Sequence, residues 1–201
     1  QGHGIIPGQA GVIADLPAEA LLTAVDAGRA EGMLVLNVRA SDDRLRNEDC
    51  RGNVLHTVPS RAMLTDGLAQ YLVLKRWIRW FLVVGQNEGD DLLADALCWS
   101  ARRLGAKIVV DKTWSFRFSH GRADTGSTTL QTEIPVFTRV ADHDVLVVAD
   151  EADALGEYLP SHTALPRPVV GAHGMLATAW SPLRNDTVIK SIPTGGRRGA
   201  W

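Results

Sequence analysis

Apolar positions along the chain fall into short runs separated by stretches of helical periodicity. The runs are GVIA (Gly11 to Ala14), MLVLNV (Met33 to Val38), Phe81 to Val84, Lys107 to Val110, Asp144 to Ala149 and the Pro-bounded Pro168 to Gly171, all with the length of strands. The unbroken Phe81, Leu82, Val83, Val84 suits a parallel strand covered on both faces. Between the runs lie helices. Pro17 takes the first position of one that the pattern carries to about Ala30, with Leu21, Leu22 and Val25 on one face and Gly32 past its end. Pro59 stops the segment NVLHTV, Ser60 follows as N-cap, and Leu64, Leu68, Tyr71 and Leu72 share the face of a second helix. Asp90 and Asp91 open a third, whose face carries Leu93, Leu97, Ser100 and Leu104, with Arg102 and Arg103 at its dipole's negative end before Gly105. A short helical pattern from Glu151 to Tyr158 precedes the last strand.

Strands alternating with helices predict βαβ units and a largely parallel sheet or pair of sheets. The interval between the second strand and Phe81 is long, holding the charged loop Arg39 to Gly52, NVLHTV and the helix to Leu74. A division of the chain between Leu74 and Arg79 is expected, giving segments 1–76 and 77–183 and a polar, frayed tail 184–201. Residues Asp111 to Thr132 have no clean period and read as a loop with one short helix, and the Gly-rich start to Gly11 reads as flexible.

Composition changes this picture little. With 201 residues, 45% of them hydrophobic and 22% charged, the chain can bury a core and is not disordered over most of its length. A net charge of −2 argues against nucleic-acid binding by general attraction, and no apolar run reaches the roughly 18 residues that a membrane span needs. Cys50, in a polar loop, and Cys98, on a helix, are not expected to pair. The chain starts at Gln1 without a leader, as a mature exported protein or an excised fragment would.

The motifs of chemistry are missing from the spacing. His3, His56, His120, His143, His162 and His173 form no H-x-H or H-E-x-x-H, and GDDLLAD at Gly89 to Asp95 is an acidic helix start without the oxygen spacing of a calcium loop. VVGQNEGDD is neither a P-loop nor a dinucleotide fingerprint, and no G-x-S-x-G elbow holds a serine. No catalytic residue, metal site or cofactor is assigned. What remains are polar loops at the carboxyl ends of the strands, where open α/β sheets bind ligands. They contribute Asp15, Arg39 with Ser41, Gln86 with Asn87, Asp150 with Glu151, and His173, against the competing reading that these residues cap the helices that follow. Trp77, Arg79 and Trp80 read as connector and core-edge residues, and Trp114, in a polar loop past a strand end, as the ring better placed to meet a ligand.

NVLHTVPSRAMLTDGLAQYL followed by RWFLVVGQNEGDDLLADALCWSARRLGAKIVVD resembles the middle of type I periplasmic solute-binding proteins of the branched-chain amino-acid transporter class. There a strand ending in T-x-P-S leads into the helix before the first strand of the second lobe. DDRLRNEDCRGNVLHTVPSRAML, PVFTRVADHDVLVVADEAD and GEYLP are similar to the subfamily encoded beside PQQ-dependent alcohol dehydrogenase systems. The resemblance covers about Gly11 to Ser181 and implies two Rossmann-like α/β lobes with parallel sheets, periplasmic location, a membrane permease of an ABC transporter as partner, and a small ligand held between the lobes without chemistry. It places Arg39, Ala40, Ser41, Gln86, Asn87, Asp150, Glu151, Ala172 and His173 at the ligand. Arg39 and Ala40 depart from the family's small Ser/Thr pattern and favour an anionic ligand over an amino acid, because guanidinium pairs with carboxylate. Pyrroloquinoline quinone (PQQ), flat and rich in carboxylates, is the ligand that the subfamily implies, with Arg39, Arg61 and Trp114 as its contacts. The family's first lobe begins with further strand and helix units, so that lobe is expected to be incomplete, with a second chain completing it. Two other classes fit the same elements, a ligand-sensing domain of a transcription regulator and a small Rossmann-like enzyme.

Overall fold

The computed structural model describes residues 11–28, 33–114, 132–139, 142–151, 159, 163, 167–173 and 176–180. The chain divides into two units, Gln1–Met63 and Leu64–Trp201.

In the first unit β1 (Gly11–Ala14), β2 (Leu34–Asn37) and β3 (Val54–His56) form a parallel sheet in the order β1-β2-β3. Helix α1 (Ala18–Gly28) connects β1 to β2. Alternation along the strands turns Ala14, Val35 and Val54 toward Ala18, Leu21 and Val25 of α1, with Ala40 and Leu45 closing the same core. Leu45 belongs to a 3₁₀ turn, Asp43–Arg46, inside the expected charged loop. Side chains that alternate with that core are apolar as well: Ile13 is paired in register with Leu36, and Leu36 with Leu55. This second face is open, with Ile13 72%, Leu55 53% and Leu34 36% exposed, whereas parallel sheets are as a rule covered on both sides.

Helix α2 (Arg61–Leu74) begins in the first unit and continues in the second. The division falls at Met63 and Leu64, earlier than the expected position near Leu74, because Leu68, Ala69 and Leu72 are buried in the core of the second unit and Thr65 Oγ1 lies 3.0 Å from Ser100 Oγ. Ser60 caps the helix as expected, its Oγ accepting from the Met63 N–H at 3.4 Å.

The second unit is a five-stranded sheet in the order β5-β4-β6-β7-β8. Its strands are β4 (Arg79–Val84), β5 (Lys107–Thr113), β6 (Val145–Ala149), β7 (Val169–His173) and β8 (Leu176–Trp180), of which only β8 runs antiparallel, to β7. Helix α3 (Glu88–Leu104) follows β4, and residues 132–138 are also helical. β4 lies between β5 and β6 and is buried on both sides. Trp80, Leu82 and Val84 meet α2 and α3 through Leu72, Leu93 and Leu97, while Phe81 and Val83 meet Trp114, Ile134 and Leu159. Trp80 is fully buried, with Nε1 donating to the Trp77 carbonyl at 2.7 Å, and so is a centre of the core rather than its edge. β5 runs three residues past Val110, since Leu82, Val83 and Val84 of β4 continue the pairing as far as Thr113. α3 ends at Gly105, whose φ of +80° closes the helix in the left-handed conformation and sends its N–H to the Ala101 carbonyl. β8 lies beyond the last strand that the apolar pattern predicts. The expected helix at Glu151 to Tyr158, the loop before residue 132 and the tail 184–201 lie outside the described residues.

Replacing fully buried Leu97 by Ala is expected to cost about 2–5 kcal/mol, and replacing half-exposed Leu92 on the same helix less than about 0.5 kcal/mol. Urea unfolding followed by tryptophan fluorescence measures both.

Candidate functional site

In the second unit the polar groups converge where the sheet changes direction. β4 leads through α3 to β5 on one side, whereas β6, on its other side, leads on to β7. The helix after β4 packs on the face of Trp80 and Leu82, and Leu159, in the connection after β6, packs on the face of Phe81 and Val83. Outgoing connections on opposite faces make this a topological switch point, the place at the carboxyl ends of the strands where open α/β sheets bind ligands. The groups there are Gln86 and Asn87 after β4, both exposed, and Asp150 and Glu151 after β6, the first buried and the second half-buried.

Asp90, in the first turn of α3, joins these loops. It is fully buried. Its Oδ2 accepts from the Asn87 N–H at 2.9 Å and from Asn87 Nδ2 at 3.2 Å, and its Oδ1 accepts from the Glu151 N–H at 2.8 Å. The Gly85 N–H, in turn, donates to the Ala149 carbonyl at 2.8 Å. Two glycines make the room: a Cβ on Gly85 would lie 2.1 Å from Asp90 Oδ2, and one on Gly89 would lie 2.2 Å from Glu151 Oε2. The sequence marks Asp90 only as part of an acidic helix start. Its place three residues after Asn87, the N-cap, was the available signal.

In the first unit, the strand ends present a second set. Asn37, at the end of β2, is fully buried. Its Oδ1 accepts from the Arg39 N–H at 3.1 Å and the Ala40 N–H at 2.8 Å, while Nδ2 donates to the Ala40 carbonyl at 2.7 Å and lies 2.9 Å from His56 Nδ1 on β3. This pins the loop that bears Arg39 and Ser41. Arg39 and Asp15 are exposed at the surface, with Arg39 Nη1 3.8 Å from Asp15 Oδ1, a contact worth little in water. Arg61 is buried and pairs with Asp42 at 3.3 Å, and its N–H donates to the Ser41 carbonyl at 2.9 Å. The Asp43 carboxylate accepts from the Ala62 N–H at 3.1 and 3.2 Å and so occupies the start of α2. The sequence signal for Asn37 is a polar residue ending the apolar run MLVLN, whereas the register that sets His56 beside it comes from the pairing of β2 and β3.

The ten residues expected at a ligand therefore lie in two sets, Asp15, Arg39, Ser41 and Arg61 in the first unit and Gln86, Asn87, Trp114, Asp150, Glu151 and His173 in the second. Trp114 differs from its expected setting. It is 3% exposed and packs edge-on against Phe137 at 5.1 Å between centroids, because the longer β5 carries it off the polar loop and into the core. His173 ends β7 opposite Leu176 of β8, and its side chain lies outside the described residues. Both cysteines are free. Among the described residues no group of His, Cys, Asp and Glu is placed to hold a metal ion, and no helix is long and apolar enough to cross a membrane.

No protein-family model and no curated protein matches the sequence. Solved structures do match the fold. An ABC transporter substrate-binding protein from Desulfitobacterium hafniense superposes with a TM-score of 0.61 at 17% identity, covering 90% of this chain and 54% of its own. A branched-chain amino acid ABC transporter periplasmic ligand-binding protein from Burkholderia xenovorans LB400 gives 0.58 at 16%, covering 82% and 43%. A solute-binding protein of an ABC transporter from R. palustris, in complex with benzoate, gives 0.57 at 14%, covering 81% and 43%. The fold is that of type I periplasmic binding proteins, and the chain spans about half the length of these structures.

Asp90→Asn keeps the shape but sets an NH₂ group against a backbone N–H whichever way the amide turns. A loss of about 1–3 kcal/mol is expected. Gly85→Ala is expected to destabilise by a similar amount, about 1–3 kcal/mol, as the Asp90 carboxylate is displaced. Chemical denaturation of each variant measures the change.

Proposed function

We propose that this chain is a substrate-binding component of an ABC transporter, periplasmic, working with a membrane permease and holding a small ligand without chemistry. The observation that carries the proposal is the topological switch point at the carboxyl ends of β4 and β6, built on a fold shared with solute-binding proteins. Ligands bind open α/β sheets at such switch points. The ligand is anionic in this reading. Arg39 supports that, being an exposed guanidinium whose nearest acid is a surface aspartate at 3.8 Å, and it is free to pair with a carboxylate. Arg61 is already engaged by Asp42 and serves to hold the loop. Within this class we favour PQQ.

The open apolar row of Ile13, Leu34 and Leu55 supports a further part of the reading, that more polypeptide packs on the first unit, supplied by a second chain. Sedimentation at tens of micromolar is expected to give a species larger than 21.8 kDa, and a clean monomer would remove this part of the proposal.

Calorimetric titration with PQQ, benzoate and leucine tests the ligand. Heat is expected from PQQ, with a loss of about tenfold or more in affinity in Arg39→Ala, equivalent to about 1.4 kcal/mol or more. Heat from leucine alone would overturn the anionic reading, and silence from all three at tens of micromolar would count against solute binding by this chain.

A further inference from the structure

The orientation of the Asn37 carboxamide is settled by its neighbours. Because Oδ1 accepts two backbone N–H groups, from Arg39 and Ala40, the atom facing His56 is the NH₂ nitrogen, a donor. His56 Nδ1 must therefore accept, and an imidazole can accept there only when that nitrogen carries no proton. A protonated ring would turn two donors toward each other at 2.9 Å, and on the Asn37 side the group is fully buried.

We propose that Asn37 and His56 are positioning residues for the loop 38–41, and that protonation of His56 releases this loop, so that acidification loosens the segment carrying Arg39 and Ser41. The bearing on ligand binding rests on the solute-binding reading above, whereas the switch itself does not.

The surroundings favour the neutral ring. Burial pushes the His56 pKa down and the Arg46 guanidinium adds to this, against a smaller upward effect of a hydrogen bond to the Leu45 backbone. Several other charges of this unit are engaged elsewhere, while Arg39, Asp15 and Glu48 are exposed at the surface. Arg46 Nη2 donates to the Val58 carbonyl, Asp42 pairs with Arg61, Asp43 caps Ala62, and on α1 Glu19 pairs with Arg44 and Asp26 with Arg51. Among the described residues no carboxylate draws a proton to the ring. The unfolded chain takes up this proton at the ordinary value of 6.5 while the folded ring resists. The stabilisation is therefore fully present above 6.5 and is lost as the pH falls through the lowered folded value.

The test is a titration of the full chain by NMR, without ligand, between about pH 8 and about pH 5. The His56 ring is expected to titrate below 6.5, and the backbone amides of Arg39 and Ala40 to shift with the same midpoint. His56→Asn places an oxygen where Nδ1 stands and does not titrate, so its Arg39 and Ala40 amides should match the wild-type spectrum at neutral pH and stay there on acidification. His56→Leu removes the acceptor, and its amides should sit near the wild-type acid positions at every pH. A ring that titrates at or above 6.5, amides that ignore it, or an unchanged acid shift in His56→Asn would overturn the proposal. None of these readouts involves a ligand, so failure of the solute-binding reading would show separately, as silence in the calorimetry.

Discussion

A single buried carboxylate, that of Asp90, accepts hydrogen bonds from the loops after two neighbouring strands, through Asn87 behind β4 and Glu151 behind β6. Much of the second unit depends on it. A buried carboxylate without donors would be costly, and here three N–H groups converge on it, which fixes both loops relative to the start of α3. The glycine at position 85 follows from the same constraint, since a side chain there would meet Asp90. Residues expected at a ligand are thus partly occupied in holding the two loops together.

The first unit solves a similar problem with a neutral group. Asn37 ends β2 and spends its donors and acceptor on the loop after the strand and on His56 of the next strand. A carboxamide offers donors and acceptors together, so it can bind both a carbonyl and an imidazole nitrogen, which a carboxylate cannot. It also couples the loop to the protonation state of a histidine. Around it Asp42, Asp43, Arg46 and Arg61 are tied to each other or to the backbone, leaving Arg39 as an exposed cation beside the loop.

The likeness to solute-binding proteins, at 14 to 17% identity, speaks for the fold, and the functional reading goes beyond it through the switch point and Arg39. The open aliphatic face of β1, β2 and β3 belongs to the same account. Its in-register row, Ile13, Leu36 and Leu55, is what a parallel sheet presents to a covering layer.

Periodicity by itself determined α1, α2, α3 and most strands to within a few residues, because a helix with a buried face or a strand covered on both sides repeats its apolar positions locally. Gly105, Ser60 and the acidic start of α3 were likewise legible, since caps are made by neighbours in sequence. The tertiary structure alone decided the rest. Strand order, and with it the switch point between β4 and β6, depends on pairings between segments tens of residues apart. Trp114 turned inward because β5 continued along β4, and the chain divided at Met63 because the face of α2 found its partner in the second unit. Asp90 and Asn37 look like ordinary surface or capping residues in the sequence. Their roles arise because Glu151 and His56, remote along the chain, arrive within hydrogen-bonding distance of them.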